Sequence, residues 1–261
     1  MKSIKKVLTG SVAASMLVAG GLGMSSVATA GELGASVAIS NMYLFRGVDM
    51  GAGNAAVSGD LVYSDDSGLY AGVWVSSGDT RITGSSEYDY FAGWAGEVGG
   101  LGIDVGVINY NYSGPDLNGA ATGGNRFDDT TGELSEAYLL LSFGGFDLGY
   151  WDNIAGVSDY EYYTIGYTHE KYSLTYGMAE YDSTGTAAAP VNFYQTGVRK
   201  NAAKNANGFT SSDYSHLDFT YAYNDNLSFT LSKIVDDDAD KTTYAQDDDL
   251  LIALTYNIPI E

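Results

Sequence analysis

The stretch SEAYLLLSFGGFDLGYWDN, residues 135–153, decides the fold class. Apolar and aromatic side chains occupy every second position on both sides of the pair Gly144-Gly145. They are Ala137, Leu139, Leu141 and Phe143, then Phe146, Leu148 and Tyr150. A period of two indicates β-strands, and a Gly-Gly pair is typical of the tight turn of a β-hairpin. The stretch therefore predicts two antiparallel strands that share one apolar face.

The same alternation recurs along the chain and predicts twelve strands. Regular sets run over residues 33–39, 69–75, 88–94, 103–107, 163–167, 172–178, 217–223, 227–231 and 250–256, and a less regular set runs over 54–64. Together with the hairpin of residues 135–153, these sets account for nearly all the apolar alternation in the sequence. Period two with β-branched and aromatic residues is the expected pattern for strands.

The connections between these strands alternate between short and long. Tight turns are predicted at 65–67, 98–100, 144–145, 169–170 and 224–225, and longer loops at 47–53, 77–85, 113–132, 182–212 and 236–247. The connection at 152–158 is the one exception, a short member of the long set. An even number of strands with this alternation is typical of an outer-membrane barrel. We therefore predict an all-β fold: an antiparallel transmembrane β-barrel of twelve strands, with short periplasmic turns, longer external loops and both termini periplasmic. The loop 182–212 either folds inward or is disordered.

Residues 1–30 have the pattern of a secretory signal peptide. Three lysines precede an apolar stretch, and Ala28-Thr29-Ala30 forms a small-residue cleavage site before Gly31. We predict a signal peptide over 1–30 and one barrel domain over 31–261. Without the lysines at 2, 5 and 6 the formal net charge changes from −21 to −24, which argues against nucleic-acid binding through phosphate neutralisation. The chain has no cysteine, so no disulfide framework is expected.

A soluble β-sandwich or a lipocalin-like barrel with an acidic outer face would show the same alternation. Neither class explains the alternation of short and long connections. Neither explains why so many of the 22 tyrosines fall on the apolar face. Tyrosine and tryptophan collect near the predicted strand ends, as they do where a membrane barrel meets the lipid interface. These features favour the outer-membrane barrel.

The second face of the predicted strands carries acidic side chains among Gly, Ser and Thr. Because a charge on the lipid side is costly, we predict that these side chains line the lumen. They are Asp60, Glu87, Asp89, Asp104, Glu136, Asp147, Glu161 and Asp218. A water-filled passage lined by carboxylates attracts cations and repels anions.

Arg46 is the one basic side chain predicted to enter this lumen. It ends a first strand on which Tyr43 and Phe45 are assigned to the lipid face, with Asn41 as a lapse in the pattern. Arg46 either pairs with acids such as Asp60 or Glu87, or sets a charge step across the pore. Pairing is favoured, because an unpaired arginine among carboxylates in a tight lumen would be unusual.

Other chemistry-bearing residues predict neither a catalytic nor a metal site. His216 lies beside Ser215 and near Asp218, which are the residue types of a hydrolase. Neighbours along a strand alternate faces, however, so His216 is expected inside and Ser215 outside. His169 is expected in a tight turn. The acidic run 236–249 lacks the ligand order and the glycine of an EF-hand loop, and no cofactor site is predicted.

Several segments resemble one family of exported bacterial proteins. They are SNMYLFRGVDM (40–50), SGLYAGVWVSSGD (67–79), EYDYFAGWAGEVGGLGIDVGVINYNYSG (87–114) and the hairpin of residues 135–153. The sequence is similar to the Gcw_chp family, also called the TorF family of porins. The resemblance implies an outer-membrane β-barrel with pore activity. It implies no catalytic residues and no defined substrate.

The sequence thus predicts an outer-membrane channel in a Gram-negative bacterium. Small hydrophilic solutes would diffuse through an acidic, cation-preferring lumen, and no enzyme activity is predicted. The expected partners are outer-membrane lipid and lipopolysaccharide, the barrel-assembly machinery and the small solutes themselves. Two alternatives are kept. One is a closed structural or surface-interaction barrel without conduction, and the other is a lipid-hydrolysing barrel that uses His216.

Overall fold

A computed structural model describes residues 32–51, 53–77, 86–112, 135–155, 159–182, 213–237 and 248–260. The strands in these residues are β1 (Glu32–Ser40), β2 (Leu44–Phe45), β3 (Val48–Asp49), β4 (Ala56–Ser64), β5 (Leu69–Ser76), β6 (Glu87–Val98), β7 (Leu101–Tyr112), β8 (Ser135–Phe143), β9 (Phe146–Ala155), β10 (Asp159–His169), β11 (Tyr172–Asp182), β12 (Tyr214–Ala222), β13 (Leu227–Asp237) and β14 (Leu251–Ile258). All except β2 and β3 form one closed antiparallel barrel of twelve strands. The predicted fold class is confirmed. Among the described residues, no helix is long and apolar enough to cross a membrane.

The alternation of side chains gives the barrel its two faces. On β8, Tyr138 and Leu140 point inward and are buried, whereas Leu139 between them points outward and is 38% exposed. The turn that follows contains Gly144 and Gly145, with φ of 60° and 88°. Two successive positive φ angles match the twist of the flanking strands, which is why Gly-Gly suits this position. The other predicted tight turns also connect neighbouring strands at this end of the barrel.

The first strand closes the barrel by pairing on both edges. It pairs with β4 from Glu32 opposite Ser64 to Ser40 opposite Ala56. Its other edge pairs with β14, where Ile39 lies opposite Tyr256. No strand edge of the barrel is therefore left open, as a backbone inside lipid requires.

The chain leaves the barrel wall earlier than the sequence predicted. The first strand ends at Ser40, and the Asn41 side chain then hydrogen-bonds to the backbone edge of β14. The Leu254 N–H donates to Asn41 Oδ1 at 2.6 Å, and Asn41 Nδ2 donates to the Ile252 carbonyl at 3.0 Å. Because a side chain satisfies these backbone groups, the main chain is free to turn inward. Asn41 is thus the exit point from the wall.

Tyr43 and Phe45 consequently lie inside the barrel, and their prediction as lipid-facing residues is wrong. Their exposed fractions are 6% and 5%. The predicted external loop 47–53 is also wrong for residues 47–50, which turn inward with them. The predicted signal peptide over 1–30 and the loop 182–212 lie outside the described residues, so both stay predictions.

Candidate functional site in the barrel lumen

A small hairpin of residues 43–50 lies inside the barrel, and we call it the lumenal hairpin. Strands β2 and β3 pair through Leu44 opposite Asp49 and Phe45 opposite Val48. Its two-residue turn has positive φ at both positions, 49° at Arg46 and 80° at Gly47. This is the turn geometry of a tight hairpin, for which asparagine or glycine is the usual first residue. An arginine in this conformation costs about 1–2 kcal/mol, so its side chain must make compensating contacts.

The Arg46 side chain makes a two-pronged ion pair with Glu136 on β8. Nη1 donates to Glu136 Oε1 at 2.9 Å, and Nη2 donates to Oε2 at 2.7 Å. The Tyr110 hydroxyl also donates to Oε2, at 2.8 Å. Both charged side chains are almost fully buried. A parallel pair of hydrogen bonds between guanidinium and carboxylate is the strongest arrangement available to them.

The guanidinium also lies within a ring of aromatic side chains. Its Cζ is 4.4 Å from the ring centroid of Tyr162, 4.8 Å from Phe45, 5.3 Å from Tyr160 and 5.4 Å from Trp151. Aromatic faces carry negative charge density and attract a cation at these distances. The ring therefore compensates part of the hydration that Arg46 loses inside the barrel.

The backbone of the turn is held by β12. The Tyr214 hydroxyl donates to the Arg46 carbonyl at 3.0 Å. Gly47 lies directly against His216, and a Cβ added at Gly47 would be 2.5 Å from His216 Cγ, which no larger residue could avoid. His216 itself is fixed on both sides, with Nε2 at 2.7 Å from the Tyr162 hydroxyl and Nδ1 at 3.0 Å from Asp218 Oδ1.

His216 therefore takes part in a buried network, and no serine is bound to it among the described residues. Ser215 was predicted to point outward, but the register with β13 shifts between Ser215 and His216. At such a bulge strict alternation is lost, and both residues are buried. Within the part of the chain that the structure describes, the Ser215 hydroxyl has no hydrogen-bond partner.

Beside the lumenal hairpin, the lumen is open and contains a cavity of about 220 Å³. It extends from the tight turn at Glu170-Lys171 to the base of the lumenal hairpin. Most of its lining side chains are small hydroxyls or methyl groups: Ala38, Ser40, Ala56, Ser58, Ser76, Thr168, Ser173, Thr220, Ala222, Ser228, Thr230, Ala253 and Thr255. Its charged lining residues are Arg46, Glu170, Lys171 and Asp218. Two acids face two bases, so the formal charge of the lining is balanced.

The predicted lumenal acids point mostly inward, but most of them are already engaged by the protein. Six are buried: Asp60, Glu87, Asp89, Asp104, Glu136 and Asp218. Tyr43 donates to Glu87 at 2.7 Å, Ser36 donates to Asp60 at 2.8 Å, and Tyr70 donates to Asp104 at 2.5 Å. Asp147 lies on the inward parity of β9 and is half-buried. The partner of Arg46 is Glu136, rather than the predicted Asp60 or Glu87.

Glu161 lies on the outer face, contrary to the sequence prediction. Its neighbours Tyr160 and Tyr162 are fully buried inside, so strand parity puts Glu161 outside. The hydroxyls of Tyr150 and Tyr163 each donate to it at 2.8 Å. The carboxylate is tolerated there because it lies near the end of β10 and accepts two hydrogen bonds.

Sequence reasoning missed the lumenal hairpin, although two signals were present. Phe45-Arg46-Gly47-Val48 places two residues between apolar partners, but Arg-Gly is a weaker turn signal than Asn-Gly. Asn41 interrupted the alternation at the point where the chain leaves the wall. Within the described residues, no group of three or more His, Cys, Asp or Glu side chains is arranged to hold a metal ion.

Solved structures of two porins are similar to this chain. The KdgM porin is similar over 87% of this chain and 96% of that chain, with 8% identity and a TM-score of 0.42. A variant of OccD1 (OprD) is similar over 87% of this chain and 65% of that chain, with 11% identity and a TM-score of 0.38. Both TM-scores lie below 0.5, so the function is inferred from the lumen of this chain.

No curated protein matches the sequence. A family profile does match it, over residues 25–140. Its description is "Bacterial protein of unknown function (Gcw_chp)", and the match confirms the family resemblance that the sequence motifs indicated.

Proposed function

We propose that the protein is an outer-membrane channel through which small hydrophilic solutes diffuse passively. The observation that carries this proposal is the open cavity beside the lumenal hairpin. A closed structural barrel without conduction would be expected to fill its interior with packed side chains. Here one side of the interior is instead lined by hydroxyl and methyl groups that leave space for water and solute.

The outer surface supports placement in the outer membrane. Exposed large hydrophobic side chains occur around the barrel, among them Leu61, Leu148, Ile165 and Leu254. A continuous apolar outer face on a closed barrel fits a lipid environment. Together with the predicted signal peptide, this supports export, contact with lipid and lipopolysaccharide, and insertion by the barrel-assembly machinery.

The solute preference follows from what lines the cavity. Of the eight acids predicted to face the lumen, Asp218 is the one that borders the cavity, where it is accompanied by Arg46. Glu87 and Glu136 instead accept hydrogen bonds from the hairpin. We therefore propose passage of neutral solutes and small cations, with a cation preference weaker than the total acidity suggests.

Reconstitution in a planar bilayer tests the proposal. We expect stable unitary currents, with cations permeating more readily than anions. Liposomes that contain the protein should also swell in isotonic solutions of small neutral sugars. Silent bilayers and unswollen liposomes, from protein whose mobility in electrophoresis still shifts on heating, would contradict a channel.

A closed surface barrel is the second candidate, and one observation favours it. The lumenal hairpin and the aromatic side chains around Arg46 occupy much of the interior. The reconstitution experiment separates the two candidates, because a closed barrel would be folded and electrically silent.

A further inference from the structure

We propose that the lumenal hairpin sets the size limit of the passage, and that Arg46 is the residue that positions it. This inference rests on the proposed channel function. It assigns a selectivity role to residues 43–50, of which Tyr43, Leu44 and Arg46 border the cavity. Arg46 does not react with or recognise a solute in this proposal. It acts by holding the hairpin against the opposite wall.

The hairpin cannot hold its position through its own backbone. Strands β2 and β3 contain two residue pairs, and the Met50 N–H adds a hydrogen bond to the Tyr43 carbonyl at 2.7 Å. An isolated hairpin of ordinary length is at best marginally stable in water, and this one is shorter. Its position must therefore come from contacts with the barrel.

Both ends of the hairpin segment are fixed to surrounding backbone. At the start, the Asn41 side chain pairs with β14, as described above. At the end, the Asp49 carboxylate accepts hydrogen bonds from the Gly51 N–H at 2.9 Å and the Gly53 N–H at 2.6 Å. These bonds set where the segment leaves and rejoins the wall. They leave the tip dependent on other contacts.

The contacts of the tip lie on β8 and β12. Arg46 is held by Glu136, its carbonyl by Tyr214, and Gly47 packs on His216. Nearer the base, Tyr43 donates to Glu87 at 2.7 Å and packs against Trp74. The cavity is bordered by Met42, Tyr43, Leu44 and Arg46, and by Trp74 of the barrel wall.

This attachment links the hairpin position to the width of the passage, because hairpin residues border the cavity. With the Arg46–Glu136 pair intact, the hairpin is drawn toward β8 and the cavity remains open beside it. Without the pair, the guanidinium no longer has a partner that fixes the strained turn. We expect the hairpin to move in the lumen, so the upper size limit for solutes should change.

Liposome swelling with neutral solutes of increasing size tests this inference. Three proteins are compared: the wild type, Arg46→Ala, and a barrel in which a short Gly-Ser linker replaces residues 42–50. We expect the linker variant to admit larger solutes, with a unitary conductance raised about two-fold or more, because the hairpin no longer occupies the lumen. Arg46→Ala should lower the size limit, because the released hairpin can enter the cavity. Arg46→Lys should restore the limit only in part, because an ammonium group cannot make the two-pronged bond.

Glu136→Gln and Glu161→Gln form a matched pair of control variants. Both glutamates accept two or more hydrogen bonds, but Glu136 binds the Arg46 side chain, whereas Glu161 lies on the outer face. Glu136→Gln should change the size limit as Arg46→Ala does, and Glu161→Gln should leave it unchanged. Heat-dependent mobility in electrophoresis verifies that each barrel is folded.

A single introduced cysteine gives a readout that does not depend on current. The chain contains no cysteine, so Ser58→Cys, which lines the cavity, supplies one unambiguous thiol. With the hairpin in place, only small thiol reagents should label this cysteine readily. Larger reagents should react faster once the hairpin is replaced.

The possible outcomes separate the two proposals. A conducting wild type whose size limit and labelling rates equal those of the linker variant would overturn the hairpin inference alone. If the wild type is silent and the linker variant conducts, the result would support the hairpin as the obstruction. It would contradict free passage through the wild-type lumen. If neither protein conducts or swells, and hairpin replacement leaves the labelling unchanged, both proposals fail.

Discussion

The lumen has two sides that share one backbone architecture and differ in what fills them. The filled side consists of the lumenal hairpin and most inward aromatic side chains of β6 to β10, including Phe91, Tyr110, Tyr138, Trp151 and Tyr162. The open side consists of the small hydroxyl and methyl side chains that line the cavity, most of them on β1, β4 and β11 to β14. Strand alternation is equally regular on both sides. Side-chain size, rather than strand pattern, therefore decides where space remains.

The filled side is packed like the interior of a soluble protein. Tyr70 and Tyr138 hydrogen-bond to each other beside Asp104, and each ring lies over a glycine of a neighbouring strand. A Cβ at Gly93 would lie 2.5 Å from the Tyr70 hydroxyl, and one at Gly106 would lie equally close to that of Tyr138. The missing side chains of these glycines provide the room that the rings occupy.

The open side uses hydroxyl groups that bond to one another across strands. Thr220 and Thr230 are joined at 2.9 Å, Thr168 and Ser173 at 2.9 Å. A hydroxyl can both donate and accept, so each can still bind a passing water or solute. Most of the lumenal acids are bound on the filled side, whereas most side chains that line the open side are neutral. This difference makes the total negative charge a poor guide to selectivity.

The largest expected effect concerns the stability of the filled side. Glu136→Ala leaves Arg46 without its carboxylate, and we expect the free energy of unfolding to fall by about 3–5 kcal/mol, because a buried charge loses its partner. Denaturant unfolding in detergent or lipid, followed by tryptophan fluorescence, measures the change. Glu161→Ala, on the outer face, should cost only about 1 kcal/mol. Equal losses for the two variants would show that the filled side is no more strongly packed than the surface.

The next effect is on flux and belongs to the open side. Thr230→Trp places a large side chain in the cavity, and we expect solute flux to fall roughly ten-fold without loss of the folded barrel. Leu231→Trp, one residue further along the same strand, points outward and should leave flux unchanged. Liposome swelling gives both rates. An unchanged rate for Thr230→Trp would mean that solutes do not use this side of the lumen.

The smallest effect is on charge selectivity. Asp218→Asn removes the carboxylate that borders the cavity, and we expect the cation-to-anion permeability ratio to fall by about two-fold. Reversal potentials in a salt gradient give the ratio. Asp104→Asn serves as the comparison, because Asp104 lies among the tyrosines of the filled side and should change the ratio little. A larger effect from Asp104 than from Asp218 would reverse the assignment of the two sides.

The sequence was sufficient to predict the barrel and its turns, because period-two alternation reports directly on strand faces. It was less informative where the chain leaves the wall. Tyr43 and Phe45 keep the apolar alternation of a lipid-facing strand, yet they are buried beyond Asn41. An aromatic side chain is equally suited to lipid and to a packed interior, so its identity does not distinguish the two environments.

The charged residues show a second physical limit of sequence patterns. Arg46 was correctly expected to pair with a carboxylate, but its partner lies 90 positions away on β8. Strand parity tells which face an acid is on and contains no information about distance around the barrel. Glu161 shares the parity of the outward Tyr163 and Ile165, so parity applied consistently would have placed it outside.

The attachment of the lumenal hairpin also has a consequence for the order of assembly. The hairpin follows the first strand, yet its contacts reach Glu136 and Tyr214, which are 90 and 168 positions later in the chain. Contacts of such long sequence separation form late, because the intervening chain must first be ordered. Final seating of the hairpin therefore requires β8 and β12 to be in place. Closure of β1 on β14 then encloses the hairpin, and an N-terminal segment becomes one of the last parts of the molecule to reach its native position.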